Sequence, residues 1–269
     1  MTLFAHLSDL HLLAAAGDRF HGIDPLARVR RAISTLYQLH EVPRFVVITG
    51  DLSDRGDPAS YEWLRRIVAE LEGLGARVLL ALGNHDDRAA FRRVMAGAGP
   101  AADAPWYHST MIDGLQLIVL DTSVPGATHG ALDDAQLMWL AAQLAEPAPA
   151  GRLVALHHPP PPCPIPALGD GFMLQRPQAL AALLQHRDVH AVLAGHVHLP
   201  STSSLAGVPV ITAPALAYAI DPLAHAMVRG VAASGFALGR LDAGALVTTP
   251  VWLATARELL FEERPLPPR

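Results

Sequence analysis

Short apolar runs alternate with amphipathic stretches over the first half of the chain. Runs of strand character lie at residues 45–49, 78–82 and 115–120, and helix-like stretches follow them at residues 59–74, 88–95 and 133–144. Residues 25–39 carry apolar side chains at helical spacing directly after Asp24-Pro25, a pair that marks a helix start. Alternating strands and helices predict an α/β fold with mostly parallel strands.

The pattern changes after residue 200. Short apolar runs at residues 208–212, 236–241 and 245–251 follow one another with turns and no convincing helix between them. We expect residues 200–261 to form a meander that completes a second sheet, and we expect an oligomer interface in the same region. The predicted architecture is therefore two packed mixed β-sheets flanked by helices, a four-layer α/β/β/α sandwich.

Two segments predict little regular structure. Residues 159–171 hold six prolines, and proline lacks the backbone donor that a helix interior or a central strand requires. We expect a stiff loop there, at the rim of a site that begins with His157-His158. The tail at residues 262–269 is charged and proline-rich, and we expect it to be frayed.

Composition narrows the class of protein. The chain has 269 residues, is 51% apolar and carries a net charge of −5, with 20 cationic side chains that are all arginine. This balance argues against nucleic-acid binding, which needs a basic face. A lone cysteine, Cys163, excludes an internal disulfide, and its proline and apolar neighbours disfavour a thiolate nucleophile. No run approaches the roughly 18 apolar residues of a membrane span, so we expect a cytoplasmic protein.

Five short segments carry residue types that bind metal ions, and each begins where a strand-like run ends. They are Asp9-Leu10-His11, Gly50-Asp51, Gly83-Asn84-His85-Asp86, His157-His158 and Gly195-His196-Val197-His198. Strand-end loops of open α/β sheets are where ligands bind, so the five segments together predict one cleft. Because a boundary between the first and the last would divide this cleft, we expect residues 1–269 to form a single domain.

Each segment alone has an ordinary explanation. An Asp-x-His pair can arise by chance, Asp51 can be a turn or cap residue, and Asn84 with Asp86 can cap the following helix. Lone histidines are usually structural, and we apply that interpretation to His6, His21, His40, His108, His129, His186, His190 and His225. The five segments in combination favour a metal site, with Asp51 as a carboxylate that bridges two ions. Oxygen and nitrogen donors without a thiolate suit Mn, Fe or Zn.

The five segments resemble the signature of the calcineurin-like metallophosphoesterases, in family order. The resemblance is closer still to the class III cyclic-nucleotide phosphodiesterases and their glycerophosphodiesterase relatives, through residues 83–88, 111–126 and 155–160. It covers residues 3–215. It implies the four-layer metallophosphoesterase sandwich and two divalent metal ions per chain, Mn and/or Fe first, with Zn or Co as alternatives.

The resemblance also implies residue roles. The first metal would be held by Asp9, His11, Asp51 and His198, and the second by Asp51, Asn84, His157 and His196. His85 would contact the phosphoryl group and assist the leaving group, with Asp54 orienting its ring, and Asn84 and His198 would also face the substrate. Arg55 either touches phosphate or is a solvated loop charge. Tyr218 stands near a position where glycerophosphodiesterase relatives have histidine, so its substrate contact is open.

The resulting hypothesis is a dinuclear-metal phosphodiesterase in which a metal-bound hydroxide attacks a small-molecule phosphodiester, with 3′,5′-cyclic AMP converted to 5′-AMP as the first expectation. A broad phosphodiesterase acting on glycerophosphodiesters or 2′,3′-cyclic nucleotides is the alternative within the class. A non-catalytic interaction module of the same fold is the alternative outside it, disfavoured because none of the seven metal positions is missing. By resemblance we expect a homodimer or a higher homo-oligomer.

Overall fold

The computed structural model describes residues 1–97, 103–253 and 259–263. The helices are α1 Pro25–Tyr37, α2 Pro58–Gly73, α3 Arg88–Met95, α4 Asp134–Ala145 and α5 Pro177–Leu184, with a short 3₁₀ turn at Asp170–Phe172. The strands are β1 Thr2–Leu7, β2 Phe45–Thr49, β3 Arg77–Ala81, β4 His108–Ile112, β5 Leu115–Val119, β6 Arg152–Ala155, β7 Val189–Ala194, β8 Ser201–Leu205, β9 Val208–Thr212, β10 Ala219–Ile220, β11 Val228–Val231, β12 Gly235–Asp242, β13 Ala245–Trp252 and β14 Leu259–Glu263.

Two mixed sheets form the body of the protein. The first has the strand order β13-β12-β1-β2-β3 and the second β4-β5-β6-β7-β9-β8, while β10, β11 and β14 form a small third sheet. Strands β1, β2 and β3 pair in parallel, as do β5, β6, β7 and β9, and the outer strands are antiparallel. The predicted α/β class with two mixed sheets is confirmed.

The sheets pack face to face because side chains alternate along each strand. Phe4 and Phe45 of the first sheet meet Leu117 and Leu193 of the second in one apolar layer. The other face of the first sheet packs against α1 and α2, and the other face of the second sheet packs against α4 and α5. These contacts give the expected order of layers: helices, sheet, sheet, helices.

Aspartate caps fix the starts of four helices. The side chains of Asp24, Asp57, Asp87 and Asp133 each accept a hydrogen bond from the backbone N–H three residues on. Such a cap contributes about 1 kcal/mol and satisfies an otherwise unpaired donor. The start signal at Asp24-Pro25 is confirmed. Asp87 ties α3 directly to the loop that carries Asn84 and His85.

The C-terminal portion departs from the prediction that residues 200–261 complete the second sheet. Among the described strands of this portion, only β8 and β9 do so, whereas β12 pairs antiparallel with β1 and extends the first sheet, followed by β13. Without β12, β1 would be an open edge with unpaired backbone groups. Gly239 lies opposite Phe4, where a Cβ atom would come within 2.0 Å of the phenylalanine ring, so only glycine fits there.

The proline-rich segment agrees with its predicted irregularity. Residues 159–171 contain no α-helix or strand, and the 3₁₀ turn begins at Asp170. Of the tail that we expect to be frayed, Glu262 and Glu263 lie in β14, and residues 264–269 lie outside the described residues. No helix in the described ranges combines the length and the apolar character needed to cross a membrane.

Candidate metal centre

The predicted metal-binding residues converge where the two sheets meet. They stand in the loops that follow β1, β2, β3, β6 and β7, at the carboxyl ends of parallel strands. Each is linked to another by a contact of its side chain or backbone. The structure thus brings together all seven: Asp9, His11, Asp51, Asn84, His157, His196 and His198.

One cluster, called here the first cluster, consists of Asp9, His11, Asp51 and His198. The Nε2 atoms of His11 and His198 lie 3.1 Å apart. His198 Nε2 is 3.4 Å from Asp9 Oδ1, and His11 Nε2 is 3.6 Å from Asp51 Oδ2. None of the four side chains is more than about one-twentieth exposed, so their polar atoms face one another rather than solvent.

The second cluster consists of Asp51, Asn84, His157 and His196. His157 Nε2 lies 3.4 Å from Asp51 Oδ2 and 3.2 Å from Asn84 Oδ1. The rings of His157 and His196 have centroids 5.0 Å apart. Asp51 Oδ2 therefore contacts a histidine of each cluster, which fits the bridging role proposed for this carboxylate.

Hydrogen bonds at the far side of each histidine determine which nitrogen points inward. The outward nitrogens bind the Asp54 carboxylate (His11 Nδ1, 3.1 Å), Thr49 O (His157 Nδ1, 2.7 Å), Phe172 O (His196 Nε2, 2.9 Å) and Tyr218 O (His198 Nδ1, 2.8 Å). An imidazole that donates one N–H presents a lone pair on its other nitrogen. In each neutral ring, the inward nitrogen is therefore the one that can bind a metal ion.

The spacing of the inward nitrogens and carboxylate oxygens shows whether metal ions fit between them. In the neutral tautomers, the Nε2 lone pairs of His11 and His198 face each other at 3.1 Å, with carboxylate oxygens alongside. Lone pairs and anionic oxygens repel one another unless a proton or a cation lies among them. The donor set, all nitrogen and oxygen, matches divalent ions such as Mn, Fe or Zn. The residues present therefore fit a pair of divalent cations.

Protonation differs between the histidines. Burial, reinforced by nearby His157, lowers the pKa of His196 to about 3, and burial also lowers the pKa of His11. Burial likewise opposes the charged form of His157, but the negative charge of Asp51 outweighs it and raises the pKa of His157 to about 9. In the metal-free state, His157 thus holds a proton that balances the charge of Asp51.

The backbone at the metal-binding residues is strained. Five of the seven have left-handed φ angles: Asp9 (52°), His11 (47°), Asp51 (47°), His196 (71°) and His198 (52°). Such a conformation in a residue other than glycine costs on the order of 1 kcal/mol or more and concentrates at functional sites. Here it turns the chain sharply at the strand ends, so that both Asp9 and His11, and both His196 and His198, face the cleft.

Two glycines allow the loops to approach each other. A Cβ atom at Gly83 would lie 2.2 Å from Asp51 Oδ1, and one at Gly195 would lie 1.9 Å from Ser8 Oγ and 3.0 Å from Asp9 Oδ2. Contacts this short do not occur between a real Cβ and its neighbours. A larger residue would therefore displace Asp51 at the first position, and Ser8 next to Asp9 at the second.

Asp86 joins the loop after β2 to the loop after β3. Its carboxylate accepts hydrogen bonds from the backbone N–H groups of Leu52, Ser53 and Gly83 and from the hydroxyl of Tyr61. The sequence allowed Asp86 to be a cap of the following helix, but Asp87 takes that role. Asp86 instead fixes the loop that carries Asp51 relative to the loop that carries Asn84.

His85 is the most open histidine at the site, with its side chain 38% exposed. Its Nδ1 donates to the backbone carbonyl of Asp54 at 2.8 Å, and its backbone N–H donates to Asp51 Oδ1 at 2.9 Å. Burial lowers the pKa of His85, but the charges of Asp51 and Asp54 outweigh burial and raise it overall. Asp54 orients His85 through its carbonyl oxygen, whereas its carboxylate binds His11.

The two remaining predicted residues lie beside the first cluster. Arg55 is 81% exposed, and its nearest carboxylate is Asp54 at 3.7 Å, which favours the solvated-charge alternative. The ring of Tyr218 packs against His198 with centroids 4.3 Å apart. Its carbonyl accepts from His198 Nδ1, so Tyr218 orients a histidine of the first cluster.

Sequence reasoning missed an aromatic residue at the same place. Phe20 stacks on His11 with ring centroids 5.6 Å apart and lies 5.7 Å from Tyr218. It is held by paired backbone hydrogen bonds to Ile23, across a turn in which His21 and Gly22 both have positive φ. Such a two-residue turn has a sequence signal, a glycine between apolar residues, that could have marked Phe20 as ordered.

Fold and site together define a class: a two-sheet α/β protein whose strand-end loops bring together a buried His/Asp cluster suited to a pair of metal ions. The profile of the calcineurin-like phosphoesterase family matches residues 2–200, and the chain belongs to that family. The resemblance described from the sequence is thereby confirmed.

Relatives and solved structures agree with this assignment. A cAMP/cGMP dual specificity phosphodiesterase from Mycobacterium tuberculosis is 42% identical over 220 residues, which cover 80% of this chain and 68% of that protein. A probable cyclic nucleotide phosphodiesterase from Rhodococcus erythropolis is 42% identical over 217 residues, 80% of this chain and 71% of that one. The crystal structure of a dimetal phosphatase from Danio rerio has a TM-score of 0.66 at 17% identity, with 98% of each chain covered, a likeness of fold alone.

Proposed function

We propose that this protein is a metal-dependent phosphodiesterase that hydrolyses cyclic nucleotides, with 3′,5′-cyclic AMP converted to 5′-AMP as the first candidate reaction. The observation that carries the proposal is the position of Asp51 Oδ2, which lies 3.6 Å from an inward nitrogen of the first cluster and 3.4 Å from one of the second. A carboxylate within reach of nitrogen donors on both sides is suited to hold two cations side by side, as in two-metal hydrolases. The names of the two relatives, a cAMP/cGMP phosphodiesterase and a probable cyclic nucleotide phosphodiesterase, support the choice of substrate.

The first cation would be held by Asp9, His11, Asp51 and His198, and the second by Asp51, Asn84, His157 and His196. Bound there, the two cations would lower the pKa of water and neutralise charge on the phosphoryl oxygens. We propose Mn and/or Fe as the natural ions, with Zn or Co as alternatives, because imidazole and carboxylate donors suit all four.

His85 is the proposed general acid. The water oxygen forms a bond to phosphorus as the bond from phosphorus to the 3′ oxygen breaks, and the departing oxygen needs a proton. His85 Nδ1 is committed to the Asp54 carbonyl, so Nε2 is the nitrogen free to donate. The raised pKa of His85 favours the protonated ring that this step uses. Its exposure leaves it accessible to a substrate entering the cleft.

Substrate contacts outside the reacting bond are proposed at the first cluster and at Asn84. Asn84 and His198 border the cluster centres and would lie near the phosphate oxygens. Tyr218 is proposed to contact the organic part of the substrate, next to Phe20. Arg55 is proposed to contact phosphate, and its substitution should then raise KM. An unchanged KM would identify Arg55 as a solvated charge, which its exposed position also fits.

One assay series tests the proposed reaction. Metal-free protein is supplemented with Mn²⁺ and offered 3′,5′-cyclic AMP, 2′,3′-cyclic AMP, glycerophosphoethanolamine, a bis-aryl phosphodiester and the matching monoester. We expect the highest kcat/KM on 3′,5′-cyclic AMP. A preference for glycerophosphoethanolamine or 2′,3′-cyclic AMP would select the broad-phosphodiesterase alternative. A preference for the monoester would reject phosphodiester hydrolysis, and absence of both metal binding and turnover would favour an interaction module.

We further propose a cytoplasmic protein that forms a homodimer or a larger homo-oligomer, with the interface in the portion after residue 200. Supporting the location, the outer strand β13 exposes Val247 (61%) and Trp252 (45%). Light scattering coupled to size-exclusion chromatography measures the state directly. A V247E variant should shift an oligomer towards monomer, and a monomeric wild type would reject the proposal.

A further inference from the structure

A row of polar side chains continues the apolar layer between the two sheets up to the metal centre. Along β1, Phe4 faces that layer, and His6 and Ser8 follow at intervals of two residues on the same face. Along β2, Thr49 follows Val47 in the same way. His6 is fully buried, in a position where an apolar side chain would continue the core.

These side chains form a continuous series of hydrogen bonds that ends at a metal-binding histidine. His6 Nε2 lies 2.9 Å from Thr49 Oγ1, which lies 2.9 Å from Ser8 Oγ. Ser8 Oγ donates to the backbone carbonyl of Thr49 at 3.2 Å. The same carbonyl accepts from His157 Nδ1 at 2.7 Å.

The hydrogen-bond directions follow from the number of protons available. Ser8 Oγ donates its hydroxyl proton to the Thr49 carbonyl, so Ser8 Oγ accepts from the Thr49 hydroxyl, which also lies 3.4 Å from the backbone carbonyl of Leu7. Thr49 Oγ1 can then only accept from His6, so His6 carries its proton on Nε2. Its Nδ1 is left as an acceptor, and it has no partner in the part of the chain that the structure describes. Burial lowers the pKa of His6 to about 3, which agrees with a neutral ring.

The opposite sheet packs closely against this network. Gly195, at the end of a strand of the opposite sheet, comes so close that a Cβ atom there would lie 1.9 Å from Ser8 Oγ and 2.8 Å from Thr49 O. The Thr49 carbonyl is therefore held in place by Ser8 on one side and by close packing on the other. A carbonyl fixed in this way also fixes the ring of the histidine that donates to it.

We propose that His6 is a positioning residue that acts through Thr49 and Ser8 to hold His157 with its Nε2 atom towards the second cluster. The proposal rests on the proposed metal centre and extends it to a buried residue that touches no metal-binding side chain. Hydrogen-bond partners of metal-binding histidines fix their tautomer and orientation, and removing one commonly costs on the order of 10- to 100-fold in metal affinity. His6 lies three hydrogen bonds beyond the direct partner of His157, so we expect the lower end of that range.

Four variants test the proposal. H6L removes the donor and keeps an apolar side chain, T49V removes the hydroxyl and keeps the carbonyl, and H6Q restores an amide N–H near the position of Nε2. H108L is the matched control, since His108 also has a buried Nδ1 without a partner among the described residues but lies on β4, and its lowered pKa likewise indicates a neutral ring. Each protein is prepared free of metal and titrated with Mn²⁺, with dialysis measuring stoichiometry and electron paramagnetic resonance distinguishing single from paired ions.

We expect H6L and T49V to bind the first Mn²⁺ like the wild type and the second roughly tenfold more weakly, with loss of the paired signal at limiting metal. H6Q should recover most of the affinity, and H108L should bind both ions normally. The melting temperature of the metal-free proteins is recorded in parallel. If H6L and T49V both bound the second ion normally and had a lowered melting temperature like H108L, the network would contribute only to packing. That result would overturn the proposal. A wild type that binds two ions but hydrolyses no phosphodiester would overturn the proposed function instead.

Discussion

The two clusters that share Asp51 differ in charge. The first contains two carboxylates, Asp9 and Asp51, and a third, Asp54, lies behind His11. In the second, Asp51 is accompanied by the neutral amide of Asn84. Attraction for a divalent ion grows with the number of nearby carboxylates. We therefore expect the first cluster to bind its ion more tightly, and occupancy of the second to limit the active fraction of the protein.

The clusters also differ in how their histidines are held. In the first cluster, His11 is oriented by a carboxylate and His198 by a backbone carbonyl, whereas both histidines of the second cluster are oriented by backbone carbonyls. A carboxylate partner raises the basicity of an imidazole more than a carbonyl does, which strengthens its metal bond. Both differences point the same way, so the two sites should respond unequally to substitution and to pH.

The largest effect should come from the residue common to both clusters. D51N replaces the shared carboxylate by an amide, so both ions should bind weakly. Metal ions supply several kcal/mol of transition-state stabilisation and each ~1.4 kcal/mol is tenfold, so hydrolysis should fall on the order of 10⁴-fold or more. Metal analysis and kcat/KM measure the two effects. D134N, at an exposed position of α4, is the control. If D51N lost only one ion, Asp51 would not bridge.

Removal of His85 should separate chemistry from metal binding. H85A should retain both ions but lower kcat by roughly 10²- to 10⁴-fold, the usual contribution of a general acid. The loss should be smaller for a substrate with a leaving group of low pKa, such as a bis-aryl phosphodiester. H225A serves as a control at another exposed histidine. Loss of an ion in H85A, or full activity, would contradict the role assigned to His85.

The positions of the clustered residues were easier to predict from the sequence than the orientation of their side chains. The convergence of the seven residues was predictable because each follows an apolar strand-like run, and the ends of parallel strands meet at one edge. Their orientation was not predictable. The acceptors for His157, His196 and His198 are backbone carbonyls of Thr49, Phe172 and Tyr218, which have no signature in the sequence. His6 was interpreted as an ordinary structural histidine, since nothing local linked it to Thr49.

In the fold, likewise, a local sequence pattern predicted some elements and not others. Elements with a strong local period, such as α1 and β2, were predicted within a residue or two. Strand β4 carries half-buried polar side chains, and α5 begins after a left-handed Arg176 without a side-chain cap, so neither has a clear signal. The pairing of β12 with β1 depends on which sheet edge is open, a property of the assembled fold that a local pattern of apolar residues does not contain.

Two substitutions should affect one cluster each. N84A removes a ligand of the second cluster, and D54N weakens the carboxylate that supports His11 in the first. Each should reduce the affinity of its own site by roughly 10- to 100-fold and change the other much less. Isothermal titration with Mn²⁺ resolves the two binding steps. If either variant weakened both sites equally, the clusters would be coupled too strongly to be treated as separate sites.

The smallest expected effect is a difference in pH dependence. Because the pKa of metal-free His157 is about 9, an ion entering the second cluster must displace a proton, and affinity should fall by up to about tenfold for each pH unit below that value. The pKa of His11 is lowered, so entry into the first cluster displaces no proton from it near neutrality. Titrations with Mn²⁺ at pH 6.5, 7.5 and 8.5 should show only the weaker step strengthening with pH.

The extra proton on His157 opposes binding of the second ion but stabilises the metal-free protein. A folded-state pKa of His157 raised from 6.5 to about 9 stabilises the fold fully below pH 6.5, and this contribution is lost as the pH rises through 9. Metal-free protein should therefore become less stable to urea over the range in which the second ion binds better. H157Q, which cannot be protonated, should abolish both trends. If the affinity of the two steps changed with pH in parallel, His157 would not be the group that distinguishes the clusters.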